Sequence, residues 1–211
     1  MKETQKDIIM SDEEREKHKK HIENVIEETF KIIKLVYANQ QEKEGLKGSK
    51  NGSRIIFPQK RKKMETRLSE QELRFIFVEQ LNKEIDGEWN VYYSVETPTK
   101  KEYGFSNHNK KESGNIDLVI HNSKFERIAL IEFKAKNPSE KFYQKDFEKL
   151  TTEPDDSLRY FIQIIENTYN NTKGNIENKV KSNAKWGKNE VRYICHSISS
   201  VKALIDKPIK Q

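Results

Sequence analysis

Cysteine is almost absent from this chain of 211 residues, since Cys195 is the only one. A lone cysteine excludes an intrachain disulfide framework and a cysteine-rich zinc site. The five histidines are scattered along the chain, and their spacing does not match a helical metal-binding motif. The sequence therefore predicts neither a cysteine-rich zinc site nor a helical histidine motif.

Long apolar runs are also missing. No segment approaches the length of a membrane-spanning helix, and residues 1–16 contain no apolar stretch of the kind that a signal peptide needs. Hydrophobic residues make up 33% of the chain and charged residues 35%, so a core has to be concentrated in a few segments. We expect a cytoplasmic protein with no membrane association.

Charge of one sign is in mild excess, with 40 Lys and Arg residues against 34 Asp and Glu residues and a net charge of +6. Such an excess suits a polyanionic partner, although many solvated surface lysines produce it without one. The most basic stretch, residues 54–67, is either a solvated loop or a patch that contacts phosphates. Composition alone does not choose between these interpretations.

The N-terminal part of the chain predicts one long helix over residues 11–41. Ser11 and Glu14 form the sequence signature of a capping box at its start, and residues 42–53 have the Gly, Ser and Lys composition of a linker. The apolar stripe of the helix either packs onto the chain's own domain or forms a homodimer, because part of it alternates steps of four and three. We therefore expect a helical arm and linker at 1–53 and a domain at 54–211. The stripe consists of Ile22, Val25, Ile26, Thr29, Phe30, Ile33, Val36 and Tyr37.

The rest of the chain predicts a mixed α/β domain, since helical and strand patterns alternate without an internal repeat. Residues 158–167 fit either a strand or a helix, and we favour the strand. In chain order, the predicted elements are a helix at 69–85, a strand at 87–98, two strands within 115–136, a helix at 137–150, a strand at 158–167, a helix at 172–186 and a strand at 191–198.

The segment NIDLVIHNSKFERIALIEFKAK, residues 115–136, carries three charges inside two apolar runs. Turn residues separate the runs, so they predict an antiparallel hairpin centred near Lys124. That register places Asp117 opposite Glu132 or one pair away, and directly opposed residues project from the same face. Lys134, two residues after Glu132, shares this face. The other face, toward the core, is expected to carry Ile116, Leu118, Ile120, Ile131 and Phe133.

Two neighbouring carboxylates repel each other, and partial burial adds a desolvation cost. The single counter-charge of Lys134 does not fully compensate them, whereas a bound divalent cation would. Oxygen ligands suit Mg2+, with Mn2+ as a substitute. Such an ion can bind a phosphate oxygen and lower the pKa of an attacking water, which is the chemistry of phosphodiester hydrolysis. The alternative is a cross-strand salt bridge of Asp117 or Glu132 with Lys134 on a half-exposed sheet face.

The sequence GNIDLVI…ALIEFKAK resembles the PD-(D/E)xK phosphodiesterase superfamily, the restriction-endonuclease-like nucleases. The resemblance covers about residues 66–198 and implies a mixed-sheet αβββαβ core flanked by helices, with the long N-terminal helix as an addition. It also implies that Asp117 and Glu132 hold the metal and take part in catalysis with Lys134. One departure is Ile116, which stands where the motif has proline.

Many members of this superfamily add a glutamate from the first core helix, and Glu70 and Glu72 are the two candidates. Glu72 forms S-x-x-E with Ser69, which is a capping box, and acids in a first helical turn are common without any catalytic role. Glu70 lies three and seven residues before Leu73 and Phe77, on the side expected to face the sheet. We therefore predict Glu70 as the third metal ligand, with Glu72 as the alternative.

Two further groups have both a structural and a functional interpretation. Lysines recur at steps of four on the helix at 137–150, which is typical of a solvated stripe. The resemblance places this helix beside the active site, where Lys145 would touch a phosphate. Glu96 is either a further site carboxylate or a residue at the end of the first strand. The lysine stripe consists of Lys141, Lys145 and Lys149.

The leading hypothesis from these features is a Mg2+-dependent nuclease that acts on DNA. The alternative is a non-catalytic nucleic-acid-binding or assembly module on the same fold, based on the net positive charge and the basic stretch at 54–67. A third hypothesis is an interaction protein that uses the helix at 11–41 as its surface. Fold and motif are shared by nucleases with many substrates, so the sequence does not identify the substrate.

Overall fold

Helices and strands alternate along most of the chain. The computed structural model of the protein describes residues 10–40, 53–59, 66–87, 89–104, 112–166, 168–181, 187–198, 200 and 202–210. The basic residues at 60–63 and the expected linker at 42–52 lie outside these ranges. Within the described ranges the elements are α1 (Asp12–Gln40), α2 (Glu70–Gly87), β1 (Tyr92–Tyr103), β2 (Glu112–His121), β3 (Arg127–Ala135), α3 (Glu140–Thr152), β4 (Leu158–Ile165), α4 (Thr172–Lys181), β5 (Val191–Ser197) and β6 (Ala203–Ile209).

The six strands form one mixed sheet in the order β1-β2-β3-β4-β5-β6. The pairs β1–β2, β2–β3 and β5–β6 are antiparallel, whereas β3–β4 and β4–β5 are parallel. Each parallel pair is connected through a helix, α3 or α4, because a parallel connection has to cross over the sheet. The predicted mixed α/β class is therefore confirmed, including the choice of a strand at 158–167. Strand β6 was not among the predicted elements.

Helices cover both faces of the sheet and enclose two apolar clusters. α1 and α2 pack with one face, and α3 and α4 pack with the other. Strand β4 is buried along almost its whole length because it lies in the middle of the sheet between both layers. On the hairpin strands, the residues that share a cluster with α1 and α2 include Leu118, Ile120, Ile131 and Phe133.

Ile116 is the exception to the predicted core face, because it belongs to the cluster under α3 and α4. The pairing of β2 with β3 ends at Leu118 and Ile131. On the other side of β2, Glu96 of β1 has a left-handed backbone with φ of 48°. The regular alternation of faces along β2 is therefore lost near Ile116, which is where the polar site lies.

α1 is a layer of this fold and packs onto its own chain. Ser11 and Glu14 form the predicted capping box, since each backbone N–H is bonded to the other residue's side chain, at 3.1 and 3.3 Å. The apolar stripe predicted for either core or dimer is buried within the chain, with Ile22 and Ile33 at 0% exposure. Packing onto its own domain is therefore confirmed, and a homodimer through α1 would have to use its exposed face. Among the described residues, no helix is both long and apolar enough to cross a membrane.

Candidate active site

The hairpin formed by β2 and β3 has the predicted register. Leu118 pairs with Ile131, so the next position along the two strands brings Asp117 level with Glu132. Asn122 closes the turn, because its Oδ1 accepts two backbone N–H groups of the turn at 2.9 and 3.0 Å. Strand and turn patterns predict the two acids level or one pair apart, and the register shift between Ile120 and His121 brings them level.

Asp117 lies where β2 and β3 stop pairing, which explains an acid inside an apolar strand. Its Oδ2 accepts the backbone N–H of Phe133 at 2.8 Å and so takes the place of a strand carbonyl. Its Oδ1 accepts a hydrogen bond from Arg74 Nη2 at 3.1 Å. Burial raises the pKa of the Asp117 carboxyl above its ordinary value, although the Phe133 N–H and Arg74 both oppose this shift. The carboxylate is therefore anchored on two sides but poorly solvated.

Glu96 lies in the middle of β1 and not at its end, because the strand continues to Tyr103. The strand-end interpretation is wrong for this reason. The register of β1 with β2 places Glu96 level with Asp117, and Arg74 Nη1 donates to Glu96 Oε1 at 2.6 Å. Arg74 therefore joins the two acids through its two terminal nitrogens. Three acids, from β1, β2 and β3, stand in one row across the sheet.

Glu132 is almost completely buried, at 2% exposure, and is held by Lys149 of α3. Burial raises the pKa of the Glu132 carboxyl well above its ordinary value, and the nearby Asp146 and Asp117 carboxyls add to the shift while Lys149 opposes it. Lys149 is itself 4% exposed. Its Nζ also contacts Asp146 Oδ1 at 3.2 Å and donates to the carbonyl of Asn115 at 2.7 Å.

Lys134 projects into the same group of charges. Its Nζ lies 2.7 Å from Asp146 Oδ2 and 3.4 Å from Glu70 Oε1. Burial alone would lower the pKa of Lys134, but Asp146, Glu70 and Glu132 together raise it. The amine is therefore a stable cation. The carboxylate of the alternative candidate Glu72 accepts a hydrogen bond from the Ser69 hydroxyl at the start of α2.

The predicted triad of Asp117, Glu132 and Lys134 lines one pocket of about 410 Å³. The pocket opens to solvent past Glu96 and Lys145, which are exposed. The lysine stripe is therefore divided: Lys145 stands at the rim of the pocket, whereas Lys149 is buried at its wall. The full lining comprises Glu96, Tyr103, Ser113, Gly114, Asn115, Asp117, Glu132, Lys134, Lys145, Asp146 and Lys149.

Glu132 and Asp146 each keep one buried oxygen without a well-directed hydrogen bond. Lys149 contacts Glu132 Oε1 and Lys134 contacts Asp146 Oδ2, yet neither oxygen has an aligned donor. Such oxygens suit a cation, which needs no particular lone-pair direction. Over the described ranges of the chain, however, no cluster of three or more His, Cys, Asp or Glu side chains is arranged to hold a metal ion. The two orphaned oxygens belong to Glu132 and Asp146, whereas both carboxylate oxygens of Asp117 accept hydrogen bonds.

Three residues of the site escaped the sequence prediction: Arg74, Asp146 and Lys149. A usable signal existed for the last two, because they lie on the face of α3 that buries Tyr143 and Phe147. Charged residues inside a helical apolar stripe are as unusual as charges inside an apolar strand. Nothing in the local pattern of α2 singles out Arg74.

Two basic residues that the sequence did not predict in the site change its electrostatics. The sequence predicts one counter-charge, Lys134, whereas the structure adds Arg74 at Asp117 and Lys149 at Glu132. Each acid of the hairpin therefore has its own basic partner from a different helix. The need for a metal ion to neutralise the acids is weaker than the sequence predicts.

Comparison of the chain with family models, with curated proteins and with solved structures gives no significant match. The resemblance to the PD-(D/E)xK superfamily therefore depends on the motif residues and on the order of the elements. That order, from α2 through β1, β2, β3 and α3 to β4, is helix, three strands, helix, strand.

Proposed function

We propose that this protein is a divalent-metal-dependent nuclease with a restriction-endonuclease-like core that hydrolyses phosphodiester bonds in DNA. The observation that carries the proposal is the meeting of Asp117, Glu132 and Lys134 at one solvent-accessible pocket. Two acids and a lysine in a polar pocket provide metal ligands and a cation for the phosphate. The net charge of +6 favours a polyanionic substrate.

Asp117 and Glu132 would hold the ion. Mg2+ is bound in many phosphoryl-transfer sites by one or two carboxylates, with water and substrate phosphate completing its coordination. A two-carboxylate pocket with a poorly satisfied Glu132 oxygen is compatible with that mode, and Mn2+ is expected to substitute. When bound, the ion would polarise the phosphate and lower the pKa of the attacking water. Glu70 contacts Lys134, so in this proposal it helps to hold the lysine, and its role as a third ligand stays a prediction.

Lys134 would act as a fixed positive charge. Asp146 holds its amine at 2.7 Å, and the raised pKa keeps it protonated. It can therefore donate a hydrogen bond to a phosphate oxygen and stabilise the charge that builds up during hydrolysis, but it is not suited to accept a proton. Lys145, exposed at the rim on α3, would contact a neighbouring phosphate of the same strand. Arg74 would orient Asp117 by holding it together with Glu96.

A second candidate function is a non-catalytic nucleic-acid-binding module. One observation favours it: Arg74 and Lys149 already neutralise Asp117 and Glu132 without any metal. A pocket that is balanced by its own bases can be a structural charge network. The two functions differ in whether a divalent ion causes cleavage.

The decisive experiment is a cleavage assay with Mg2+ or Mn2+ on single-stranded, double-stranded, nicked and branched DNA and on RNA. We expect Mg2+-dependent cleavage of at least one DNA substrate by the wild type. Asp117→Ala and Lys134→Ala should each lower the rate by about 100-fold or more, since charge stabilisation of this kind contributes on that scale.

The matched control is Asp206→Asn on β6. Asp206 also accepts a hydrogen bond from an arginine, Arg192, at 3.0 Å, but it lies on the edge strand opposite to β1. This variant should cleave at the wild-type rate. Wild-type cleavage rates in both Asp117→Ala and Lys134→Ala would show that the site is assigned wrongly. Binding of DNA without cleavage under all ion conditions would favour the non-catalytic module.

A further inference from the structure

Lys149 is the most enclosed base of the site. Its ammonium touches three oxygens: Glu132 Oε1, Asp146 Oδ1 at 3.2 Å and the backbone carbonyl of Asn115 at 2.7 Å. Only the contact with the Asn115 carbonyl is a well-directed hydrogen bond, and the contacts with Glu132 and Asp146 are ion pairs. A buried lysine is costly unless it is paired in this way.

The oxygens around Lys149 are of the kind that hard cations take as ligands. Two carboxylates and a backbone carbonyl are typical donors to Mg2+ or Ca2+. One of them, Glu132, is also a proposed metal ligand, and it faces the pocket from the wall that Lys149 shares. The ammonium and a divalent ion would therefore use the same carboxylate.

We propose that Lys149 is a built-in counter-cation of the metal site, which a divalent ion must displace from Glu132 in order to bind. This inference rests on the proposed function and describes how metal binding in the same pocket is regulated. In the absence of an ion, Lys149 keeps Glu132 and Asp146 paired and the pocket folded. Competition with this ammonium lowers the affinity of the free protein for Mg2+.

The experiment is a calorimetric titration of Mg2+ and, separately, of Mn2+ into the full chain. The variant is Lys149→Met, which keeps most of the side-chain length but removes the charge. We expect it to bind Mg2+ at least about tenfold more tightly than the wild type, because no buried ammonium–carboxylate contact has to be broken. The matched control is Lys141→Met, which removes an exposed charge from the same helix, α3, outside the lining of the pocket. It should change the affinity by less than about threefold, because an exposed charge is screened by solvent.

Loss of Lys149 leaves two buried acids without their base, so folding has to be followed by circular dichroism. If Lys149→Met is unfolded without the ion, Mg2+ should restore its fold, and such restoration supports the inference. If it does not fold even with Mg2+, the double variant Asp146→Asn with Lys149→Met is titrated against Asp146→Asn alone. Tighter binding by the double variant supports the inference, and equal affinity overturns it.

The outcomes separate this inference from the proposed function, which the cleavage assay tests by itself. Equal Mg2+ affinity of the wild type and Lys149→Met, in a protein that cleaves DNA, overturns the counter-cation alone. Tighter binding by the variant, in a protein that cleaves nothing, supports the counter-cation and refutes the nuclease. No binding by either folded protein overturns the counter-cation.

Discussion

Glu153 is the residue whose replacement we expect to be most informative about stability. It follows α3 directly and is completely buried, at 0% exposure. Its Oε2 accepts the Lys100 N–H at 2.8 Å and Arg127 Nη1 at 2.7 Å, and its Oε1 accepts the Lys101 N–H at 3.1 Å and the Tyr103 hydroxyl at 2.9 Å. One side chain therefore ties the outer half of β1 to β3 and α3. Tyr103 also lines the pocket, so the same contact supports one wall of the site.

The perturbation is Glu153→Gln, which keeps the shape and replaces one oxygen by an amide nitrogen. In the place of Oε1 that nitrogen cannot accept the Lys101 N–H, although it can donate to the Tyr103 hydroxyl, and Arg127 is left with a neutral acceptor. Two hydrogen bonds to a charged group are therefore lost. At about 1.5–3 kcal/mol each, the loss is about 3–6 kcal/mol. The total free energy of unfolding for a domain is only about 5–15 kcal/mol, so the variant should be strongly destabilised.

The measurement is equilibrium unfolding in urea, followed by circular dichroism and by the fluorescence of the buried Trp89. Glu102→Gln is the matched control, since Glu102 is an exposed acid on the same strand. It should change the free energy of unfolding by less than about 0.5 kcal/mol. If Glu153→Gln lowers the free energy of unfolding by less than about 1 kcal/mol, the reasoning is refuted. Such a small loss would mean that the four contacts of Glu153 contribute little to stability.

Two other predictions concern α1 and its contact with the sheet. Ile33→Ala should lower the free energy of unfolding by about 2–5 kcal/mol, since the side chain is completely buried. Leu35→Ala should lower it much less, because Leu35 is 47% exposed. Equal losses in the same urea titration would contradict the packing of α1 on its own chain. Burial lowers the pKa of His196, which stacks on Phe30, to about 4, while the unfolded chain binds this proton near pH 6.5. The free energy of unfolding should therefore fall as the pH drops from about 6.5 to 4, by at most about 1.4 kcal/mol per pH unit from this group. In His196→Phe the slope over this window should be shallower, and parallel curves for both proteins would count against a buried neutral histidine.

Local patterns predicted the elements of this fold well. The stripe of α1, its capping box and the hairpin turn at Asn122 all depend on residues within a few positions of each other. The bounds of β1 were predicted about five residues too early, because Trp89 and Val91 continue the strand-like pattern but precede the strand. β6 was missed since its seven residues include Lys and Pro, which are not typical of strands.

The partners of the site acids could not be predicted in the same way. Arg74 reaches Asp117 from 43 residues earlier in the chain. Choosing it among the many basic residues requires knowing that α2 packs on one face of the sheet. Lys149 had a signal in the stripe of α3, but the same spacing also fits a solvated row of lysines.

The sequence by itself determined that Asp117 and Glu132 stand on neighbouring strands, level or one pair apart, with Lys134 close by. A two-residue period and a turn at Asn122 limit the register to these two choices, and the register shift between Ile120 and His121 selects the level one. Only the tertiary structure decided which bases neutralise the two acids. α2 and α3 lie on opposite faces of the sheet, so Asp117 receives Arg74 from one layer and Glu132 receives Lys149 from the other. These pairings depend on how the layers pack, and no local spacing encodes that.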